Sequence, residues 1–300
     1  MDDSRLRELV ATRVERPGAV AEAAAGRRRP TSLLGDHGRL MMIAADHPAR
    51  GALAAGSRPF AMGDRVDLLD RLVLALSRPG VNGVLGTPDI LEDLLLLGAL
   101  EDKVVIASMN RGGLQGSVFE LDDRFTAYDA AAIARAGFDG GKTLTRIDFD
   151  DAGTVATLEA SARAVDELAA RGLIAMVEPF VSRRVDGRVR NDLSTEAVIR
   201  SVTISAGLGG TSAYTWLKLP VVEGMAEVMA ATTLPTLLLG GDPDESPDET
   251  YATWEKALAL PGVRGLIVGR TLLYPPDDEV ASAVDTATAL VRTRPGEGGS

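Results

Sequence analysis

The sequence predicts an α/β fold in which eight strands and eight helices alternate and close into a (β/α)8 TIM barrel. Between about residues 39 and 292, short apolar runs of four to eight residues alternate with longer amphipathic segments. This alternation is typical of βα units around a parallel sheet. The pairs number eight, and the chain of 300 residues is long enough for a barrel of about 250 residues.

Each strand is predicted from an apolar run, and each helix from an amphipathic segment that follows one. Acceptor side chains near four helix starts can cap free N–H groups, namely Asp64, Asp89, Thr154 and Ser194. The predicted strands cover residues 40–45, 81–86, 104–109, 140–147, 174–178, 214–219, 236–239 and 265–268. The predicted helices cover residues 64–77, 89–100, 126–136, 153–171, 194–206, 223–231, 249–259 and 277–292.

A doubly wound open sheet is the alternative α/β fold. Such a sheet more often has about five to seven strands and carries a glycine fingerprint after its first strand. The first predicted strand here ends in Asp46-His47-Pro48 instead, which favours the barrel.

The barrel accounts for residues 39–292 and leaves a short segment at each end. Residues 1–38 are predicted to form an N-terminal helical extension that could cover the bottom of the barrel. Its helix is expected over residues 4–13, with Leu6 and Leu9 on one side, and Pro17 ends that pattern. Residues 293–300 are rich in Gly and Pro and are predicted to be a flexible tail.

Composition argues against several classes of function. A net charge of −11 gives no basic excess for binding a nucleic acid, and Arg27-Arg28-Arg29 is interpreted as a solvated loop. The absence of cysteine excludes disulfides, zinc–thiolate sites and thiol nucleophiles. No apolar run approaches a membrane span, and the acidic N-terminus lacks a secretion signal. We therefore expect a cytoplasmic protein that binds neither nucleic acid nor membrane.

The most informative stretch is Tyr214-Thr-Trp-Leu-Lys218-Leu-Pro220, an apolar run with a lysine in its middle. Burial disfavours the charged form of a lysine, and a neutral amine in a dry pocket is a nucleophile for carbonyls. The alternative is a lysine whose stem packs inward while its amine reaches solvent. The chain has only four lysines, at positions 103, 142, 218 and 256, and two of them lie in predicted strands of the barrel.

Other polar side chains also lie on the predicted strands or directly after them, toward the C-terminal ends where a barrel carries its active site. Lys142, Arg146 and Asp148 alternate along one strand, so all three are expected to point inward. Lys142 would supply a cation near Lys218, or would instead form a salt bridge with Asp148 or Glu178. The full set of such residues is Asp46, His47, Asn110, Arg111, Lys142, Arg146, Asp148, Glu178, Lys218, Gly240, Gly241, Asp242, Gly269 and Arg270.

Glycine-bearing turns follow the last two predicted strands, at Gly240-Gly241 and Gly269-Arg270. Glycine lets backbone N–H groups approach a ligand, and these two loops commonly bind phosphate in this fold. Arg270 would add a charge-assisted contact. Ordinary turn glycines are the alternative, but their occurrence after both strands favours a phosphate site.

These motifs resemble the class I, Schiff-base aldolases that include deoxyribose-phosphate, archaeal-type fructose-bisphosphate and class I tagatose-bisphosphate aldolases. The resemblance covers roughly residues 40–290 and is closest to the archaeal-type fructose-bisphosphate branch. That branch has Asp-His-Gly, a lysine on its sixth strand, Gly-Gly and Gly-Arg-Asn. In this sequence Pro48 replaces the glycine, Thr271 replaces the asparagine, and Glu178 stands near the position of a proton-transferring tyrosine.

The resemblance implies that Lys218 forms the Schiff base and that Asp46 is an acid/base or orienting carboxylate. Glu178 or Asp46 would act as the base, and Lys142 completes the candidate catalytic set. The candidate phosphate- and substrate-binding residues are Gly240, Gly241, Gly269, Arg270, Arg146, Arg111 and His47. We expect a small phosphorylated sugar substrate, no metal, no cofactor and a homo-oligomer, although the outer helices would also serve a monomer.

A finer resemblance is to a bacterial subgroup associated with myo-inositol breakdown. It implies cleavage of 5-dehydro-2-deoxygluconate 6-phosphate into dihydroxyacetone phosphate and malonate semialdehyde. Fructose-bisphosphate, tagatose-bisphosphate and deoxyribose-phosphate remain alternative substrates.

Other functions compete with this interpretation. Only two histidines, His37 and His47, are present, which argues against a histidine-rich zinc site. A Mg²⁺ enzyme using Asp46, Glu178 and Asp148 is conceivable because oxygen ligands suffice. A non-catalytic sugar-phosphate-binding barrel would keep the phosphate contacts and form no imine.

Overall fold

The structure is a computed structural model that describes residues 3–35, 37–110, 113–240 and 246–293. In these ranges eight parallel strands pair in a closed ring with helices between them, which confirms the predicted TIM barrel. A ninth strand pairs antiparallel at the barrel mouth. The strands are β1 (Leu40–Ala45), β2 (Gly83–Gly86), β3 (Val104–Ser108), β4 (Gly140–Ile147), β5 (Ile174–Val185), β6 (Arg188–Asn191), β7 (Thr215–Leu219), β8 (Thr236–Leu239) and β9 (Val263–Val268).

The helices lie outside this ring, apart from two short turns of 3₁₀-helix in the β1–α3 connection at Pro48–Arg50 and Ala61–Gly63. In the described part of the chain, no helix combines the length and the apolar character needed to cross a bilayer. The helices are α1 (Asp3–Glu15), α2 (Ala19–Gly26), α3 (Arg65–Ser77), α4 (Pro88–Leu96), α5 (Ala130–Arg135), α6 (Gly153–Ala169), α7 (Thr195–Ala206), α8 (Met225–Ala230), α9 (Pro247–Leu258), α10 (Arg270–Leu273) and α11 (Val280–Arg292).

The barrel has two apolar layers because successive side chains of a strand point to opposite faces. One set fills the barrel interior, including Met42 on β1, Ile106 on β3 and Met176 on β5. The other set, including Ile43 and Val105, packs against the outer helices. All of β1, β2 and β3 is buried, so these strands are apolar on both faces, as parallel sheets require.

Several elements differ from the predicted pattern, among them β5, β6, α2 and α10. β5 does not end near Glu178 but continues to Val185 and turns back as β6, forming a hairpin above the barrel mouth. Its arginine-rich outer half is mostly solvent-exposed and lacks the apolar run from which strands were predicted. Helix α2 was also not predicted, although its alanine-rich sequence has high helix propensity.

The predicted helix caps are confirmed at two positions. Asp64 accepts from the N–H groups of Val66 and Asp67 at the start of α3, and Ser194 caps α7. Asp89 and Thr154 lie inside their helices and do not cap them, because each helix begins before the predicted residue.

The bottom of the barrel is closed by the segment between α2 and β1. Leu33 and Leu34 pack against the apolar interior of the barrel. The interpretation of Arg27 as part of a solvated loop is wrong: it is 6% exposed and donates to the carbonyls of Leu100, Lys103 and Gly137. These carbonyls lie near the ends of helices or strands, where unpaired acceptors need a donor.

Gly265 lies where β9 pairs with β1, in a seam formed by Leu40 and Gly265. Its substitution tests how closely the two strands must approach. A Cβ added there would lie 1.8 Å from the Leu40 carbonyl oxygen, and its φ of +132° disfavours any larger residue. Gly265→Ala should therefore lower the free energy of unfolding by about 3 kcal/mol or more, as measured by urea denaturation. Gly26→Ala, at an open position in α2, is the control and should change it by less than about 1 kcal/mol. Similar losses in both variants would contradict this account of the seam.

Candidate active site

Four charged side chains meet at the mouth of the barrel, one from the residue after β1 and one each from β4, β5 and β7. Lys142 Nζ lies 2.9 Å from Asp46 Oδ2 and forms a second ion pair with Glu178 Oε2. The other carboxylate oxygen of Glu178, Oε1, lies 3.0 Å from Lys218 Nζ. The four residues form one chain of ion pairs, Asp46–Lys142–Glu178–Lys218, which we call the charged tetrad.

Strand geometry explains why these residues meet. Val177 on β5 pairs with Leu217 on β7, so Glu178 and Lys218 are neighbours one residue further along. The residues two positions before Asp46, Glu178 and Lys218 pack in or against the barrel interior. Because strand side chains alternate, the three charged groups also point inward. The apolar interior therefore ends in a charged layer at the mouth.

The tetrad is largely removed from solvent, with no side chain more than 10% exposed. Burial by itself raises the pKa of Glu178, but Lys142 and Lys218 outweigh burial and bring that pKa down to about 2. Glu178 is therefore ionised at neutral pH. This shift is opposite to the one expected for a general base whose pKa is raised by burial, because two cations flank the carboxylate.

His47 lies beside the tetrad with its side chain 29% exposed. Its Nδ1 is 3.7 Å from Asp46 Oδ1, beyond hydrogen-bond distance, and has no hydrogen-bond partner among the described residues. Burial lowers the pKa of His47 to about 3; Arg270 and Lys218 lower it further, while Asp46 opposes the change. The imidazole is therefore neutral at physiological pH and can donate or accept a hydrogen bond.

The candidate phosphate-binding residues lie at the ends of β8 and β9. Gly240 is partly exposed after β8, and Arg270 is partly exposed after β9, where it donates to the Ala54 carbonyl at 3.3 Å. Gly269 is buried, and a Cβ there would lie 2.5 Å from the Ala44 carbonyl oxygen. The close approach of β9 to β1 is thus a structural reason for Gly269, independent of any ligand.

Arg146 lies apart from the tetrad in its interactions. Its guanidinium donates to Glu120 Oε1 at 2.7 Å and to the Glu120 carbonyl at 2.5 Å. In the described residues it forms no ion pair with Asp46 or Glu178. Arg146 therefore binds the loop after β3, and its charge is largely satisfied within the protein.

Three residues singled out in the sequence lie outside the described residues: Arg111, Gly241 and Asp242. The roles predicted for Arg111 and Gly241 in substrate binding stay predictions.

Sequence reasoning did not identify the buried acidic partners of this region, Glu120 and Asp123, or the arginine that binds Asp123, Arg50. All three lie in connections without a periodic pattern, and their pairing depends on long-range contacts. The only sequence signal is that Arg50 closely follows Asp46-His47.

The tetrad favours amine chemistry over metal coordination. Asp46 and Glu178 already hold lysine amines, so a cation would have to displace them. The third carboxylate of the Mg²⁺ alternative, Asp148, accepts the backbone N–H of Asp150 at 3.1 Å. Within the described ranges, no group of three or more histidine and acidic side chains is arranged to hold a metal ion.

Solved structures with this architecture include two fructose-bisphosphate aldolases. An archaeal fructose 1,6-bisphosphate aldolase matches with a TM-score of 0.62 and 17% identity, covering 91% of this chain and 99% of that chain. A fructose-bisphosphate aldolase from Slackia heliotrinireducens matches with a TM-score of 0.65 and 14% identity, covering 90% and 83%. At these identities the likeness shows the fold alone, so the protein is classed as a TIM barrel with a lysine-containing site at its mouth.

The chain belongs to the Cgl0159-like family, whose model matches residues 38–288. The crystal structure of Cgl0159 from Corynebacterium glutamicum (Brevibacterium flavum) is 58% identical in sequence, with a TM-score of 0.94. That match covers 97% of this chain and 98% of that chain. No protein with a curated description matches the sequence.

The lowered pKa of Glu178 predicts a specific acid dependence of stability. Its ionised form contributes stability that is present above the ordinary value of 4.5 and is lost as pH falls toward about 2. Glu178→Gln should flatten the dependence of unfolding free energy on pH in this window, by at most about 1.4 kcal/mol per pH unit. Urea denaturation at several pH values measures the slope.

Asp278 is the control for this measurement. Hydrogen bonds from Arg71 and Arg58 lower the pKa of Asp278 to about 2, but its side chain is 53% exposed and screened by solvent. Asp278→Asn should therefore change the slope less than Glu178→Gln does. An unchanged slope in Glu178→Gln would show that the tetrad does not hold this carboxylate in its ionised form.

Proposed function

We propose that the protein is a class I aldolase, a lyase that acts on a phosphorylated keto-sugar or keto-acid through a lysine Schiff base. The observation that carries the proposal is the buried contact of Lys218 with Glu178 at the barrel mouth. In its neutral form an amine at this place can attack a carbonyl carbon, and the ionised carboxylate beside it stabilises the positive charge that results. Its location at the C-terminal ends of the strands is where barrel enzymes carry their active sites.

The proposed reaction begins when the Lys218 amine attacks the substrate ketone and loss of water gives an iminium. The ammonium proton of Lys218 passes to water before the attack, and the ionised Glu178 stabilises the positive charge of the iminium. The iminium is an electron sink, so the C–C bond one carbon further along breaks when a base removes the hydroxyl proton. Protonation of the resulting enamine and attack by water then release the ketone product and restore the amine.

We assign removal of the hydroxyl proton to Asp46, because Lys142 and Lys218 bring the pKa of Glu178 to about 2, which is too low for a base at neutral pH. Lys142 bridges the two carboxylates and fixes their separation. In this assignment Glu178 acts at the Lys218 amine, and Asp46 acts at the hydroxyl group next to the C–C bond that breaks.

We propose that the substrate phosphate binds at Arg270, with the backbone of Gly240 and Gly269 beside it. Arg270 and His47 follow β9 and β1, which pair with each other, so the guanidinium and the imidazole share this side of the mouth. A neutral His47 would donate a hydrogen bond to a substrate oxygen. Binding the remote phosphate supplies energy that positions the ketone against Lys218.

Among substrates, we propose 5-dehydro-2-deoxygluconate 6-phosphate, which would yield dihydroxyacetone phosphate and malonate semialdehyde. The sequence resemblance to the inositol-catabolism subgroup supports this choice. Glu178 in place of a tyrosine, and Thr271 in place of an asparagine, argue that the substrate differs from fructose bisphosphate. A panel that also contains fructose bisphosphate, tagatose bisphosphate and deoxyribose phosphate, analysed by product mass, tests the choice.

Borohydride reduction in the presence of dihydroxyacetone phosphate should trap a covalent adduct on the peptide that carries Lys218. Lys218→Met should form no adduct and lose turnover by at least about 10³-fold while keeping its fold. Asp46→Asn should still form the adduct but lose cleavage, because imine formation does not need the hydroxyl base. An adduct on Lys142 would refute the assignment, and phosphate binding without an adduct would indicate a sugar-phosphate-binding barrel.

Arg270→Ala should raise KM for the phosphorylated substrate by about 10- to 100-fold, because a charge-assisted contact to phosphate is lost. The KM for a non-phosphorylated analogue should change little. Arg163→Ala removes an exposed arginine paired with Glu159 on α6 and is the control for loss of positive charge. Equal effects of Arg270→Ala on both substrates would place the phosphate elsewhere.

A further inference from the structure

A buried arginine next to the tetrad has no part in the chemistry proposed above. Arg50 ends the short turn that follows Asp46 and His47, and it is only 9% exposed. Its guanidinium forms an ion pair with Asp123, which is fully buried, and donates to the Gly113 carbonyl at 2.6 Å. These contacts attach the turn after β1 to the loop after β3.

Arg50 is also connected to Lys142 by a second route. Arg50 Nη2 lies 3.3 Å from the carbonyl oxygen of Asn110. The Asn110 side chain exchanges hydrogen bonds of 2.5 and 2.8 Å with the backbone of Leu144, two residues beyond Lys142. Asp46 and Lys142 are therefore linked in two ways. One link is their direct ion pair. The other runs from the turn after Asp46 through Arg50, Asn110 and Leu144 to the strand that carries Lys142.

The loop after β3 is held from a second side by Arg146. Arg146 binds Glu120 and lies 3.5 Å from the same Gly113 carbonyl that Arg50 binds. Burial lowers the pKa of Arg146, and the nearby charge of Arg50 adds to that effect. Two buried arginines with two buried carboxylates are costly to desolvate, and apolar packing often stabilises a fold at least as well. Stability alone therefore does not explain why these four charged residues are buried together.

We propose that Arg50 is a positioning residue whose ion pair with Asp123 holds the turn after β1 and thereby fixes Asp46 against the substrate. The inference rests on the proposed aldolase function and adds a residue to it. Arg50 acts on the turn that carries Asp46, whereas Lys218 and Glu178 are held by β7 and β5. Loss of Arg50 should therefore slow C–C cleavage and leave imine formation intact.

The experiment compares Arg50→Met, Arg50→Lys and Asp123→Asn with the wild-type protein. In Arg50→Met and Asp123→Asn, kcat for cleavage should fall about 10- to 100-fold, because a misplaced base loses alignment with its proton. KM should stay within about twofold, and the yield of the borohydride adduct with dihydroxyacetone phosphate should not change. Arg50→Lys keeps a cation opposite Asp123 and should recover part of the lost kcat. If Arg50→Met does not fold, the other two variants decide.

Arg27→Lys is the matched control, because Arg27 is also buried and binds three backbone carbonyls, but at the bottom of the barrel. It should lower the melting temperature and leave kcat unchanged. If Arg50→Lys and Asp123→Asn also lower the melting temperature and leave kcat unchanged, Arg50 is purely structural and the proposal is overturned. Loss of the adduct together with cleavage in these variants would also overturn it.

The wild-type protein separates this inference from the proposed function. Absence of both adduct and cleavage in the wild type refutes the aldolase assignment, and the positioning role with it. A wild type that forms the adduct and cleaves substrate, with unaffected Arg50 and Asp123 variants, refutes the positioning role alone.

Discussion

The site depends on one buried carboxylate placed between two lysines. An ionised Glu178 without Lys142 and Lys218 would be an unpaired charge in the barrel, and two lysine amines without Glu178 would repel each other. Removing any member therefore leaves a neighbour uncompensated. This mutual dependence fixes how β4, β5 and β7 approach each other at the mouth, and it keeps the Lys218 amine at a defined place above an apolar floor.

The two ends of the barrel differ in how their buried charged side chains are paired. At the bottom, Leu33 and Leu34 close the interior, and Arg27 is satisfied by backbone carbonyls. At the top, the interior ends in paired ionisable side chains, and further ion pairs of Arg50 and Arg146 hold the surrounding loop. The buried lysines and their carboxylate partners are thus concentrated at one end, where burial strengthens their electrostatic interactions.

The fold and the site carry different kinds of information. Aldolases that share 14–17% identity have the same barrel, and a TIM barrel supports many unrelated chemistries. In such a fold the site decides the function, and here that site is the tetrad. Under the proposed function, the departures at Glu178 and Thr271 would bear on substrate and proton transfer, which are properties that loops and strand ends vary on a conserved barrel.

The sequence by itself determined the barrel and the strand ends that carry Lys218, Glu178, Lys142 and Asp46, because the alternation of apolar runs and amphipathic segments is a local pattern. It did not show that Glu178 contacts both lysines, since that depends on the register between separate strands. The hairpin of β5 and β6, the burial of Arg27 and the pairing of Arg50 with Asp123 were likewise decided by tertiary structure. Apart from the hairpin, these contacts join residues that are far apart in the sequence, so no local pattern reveals them.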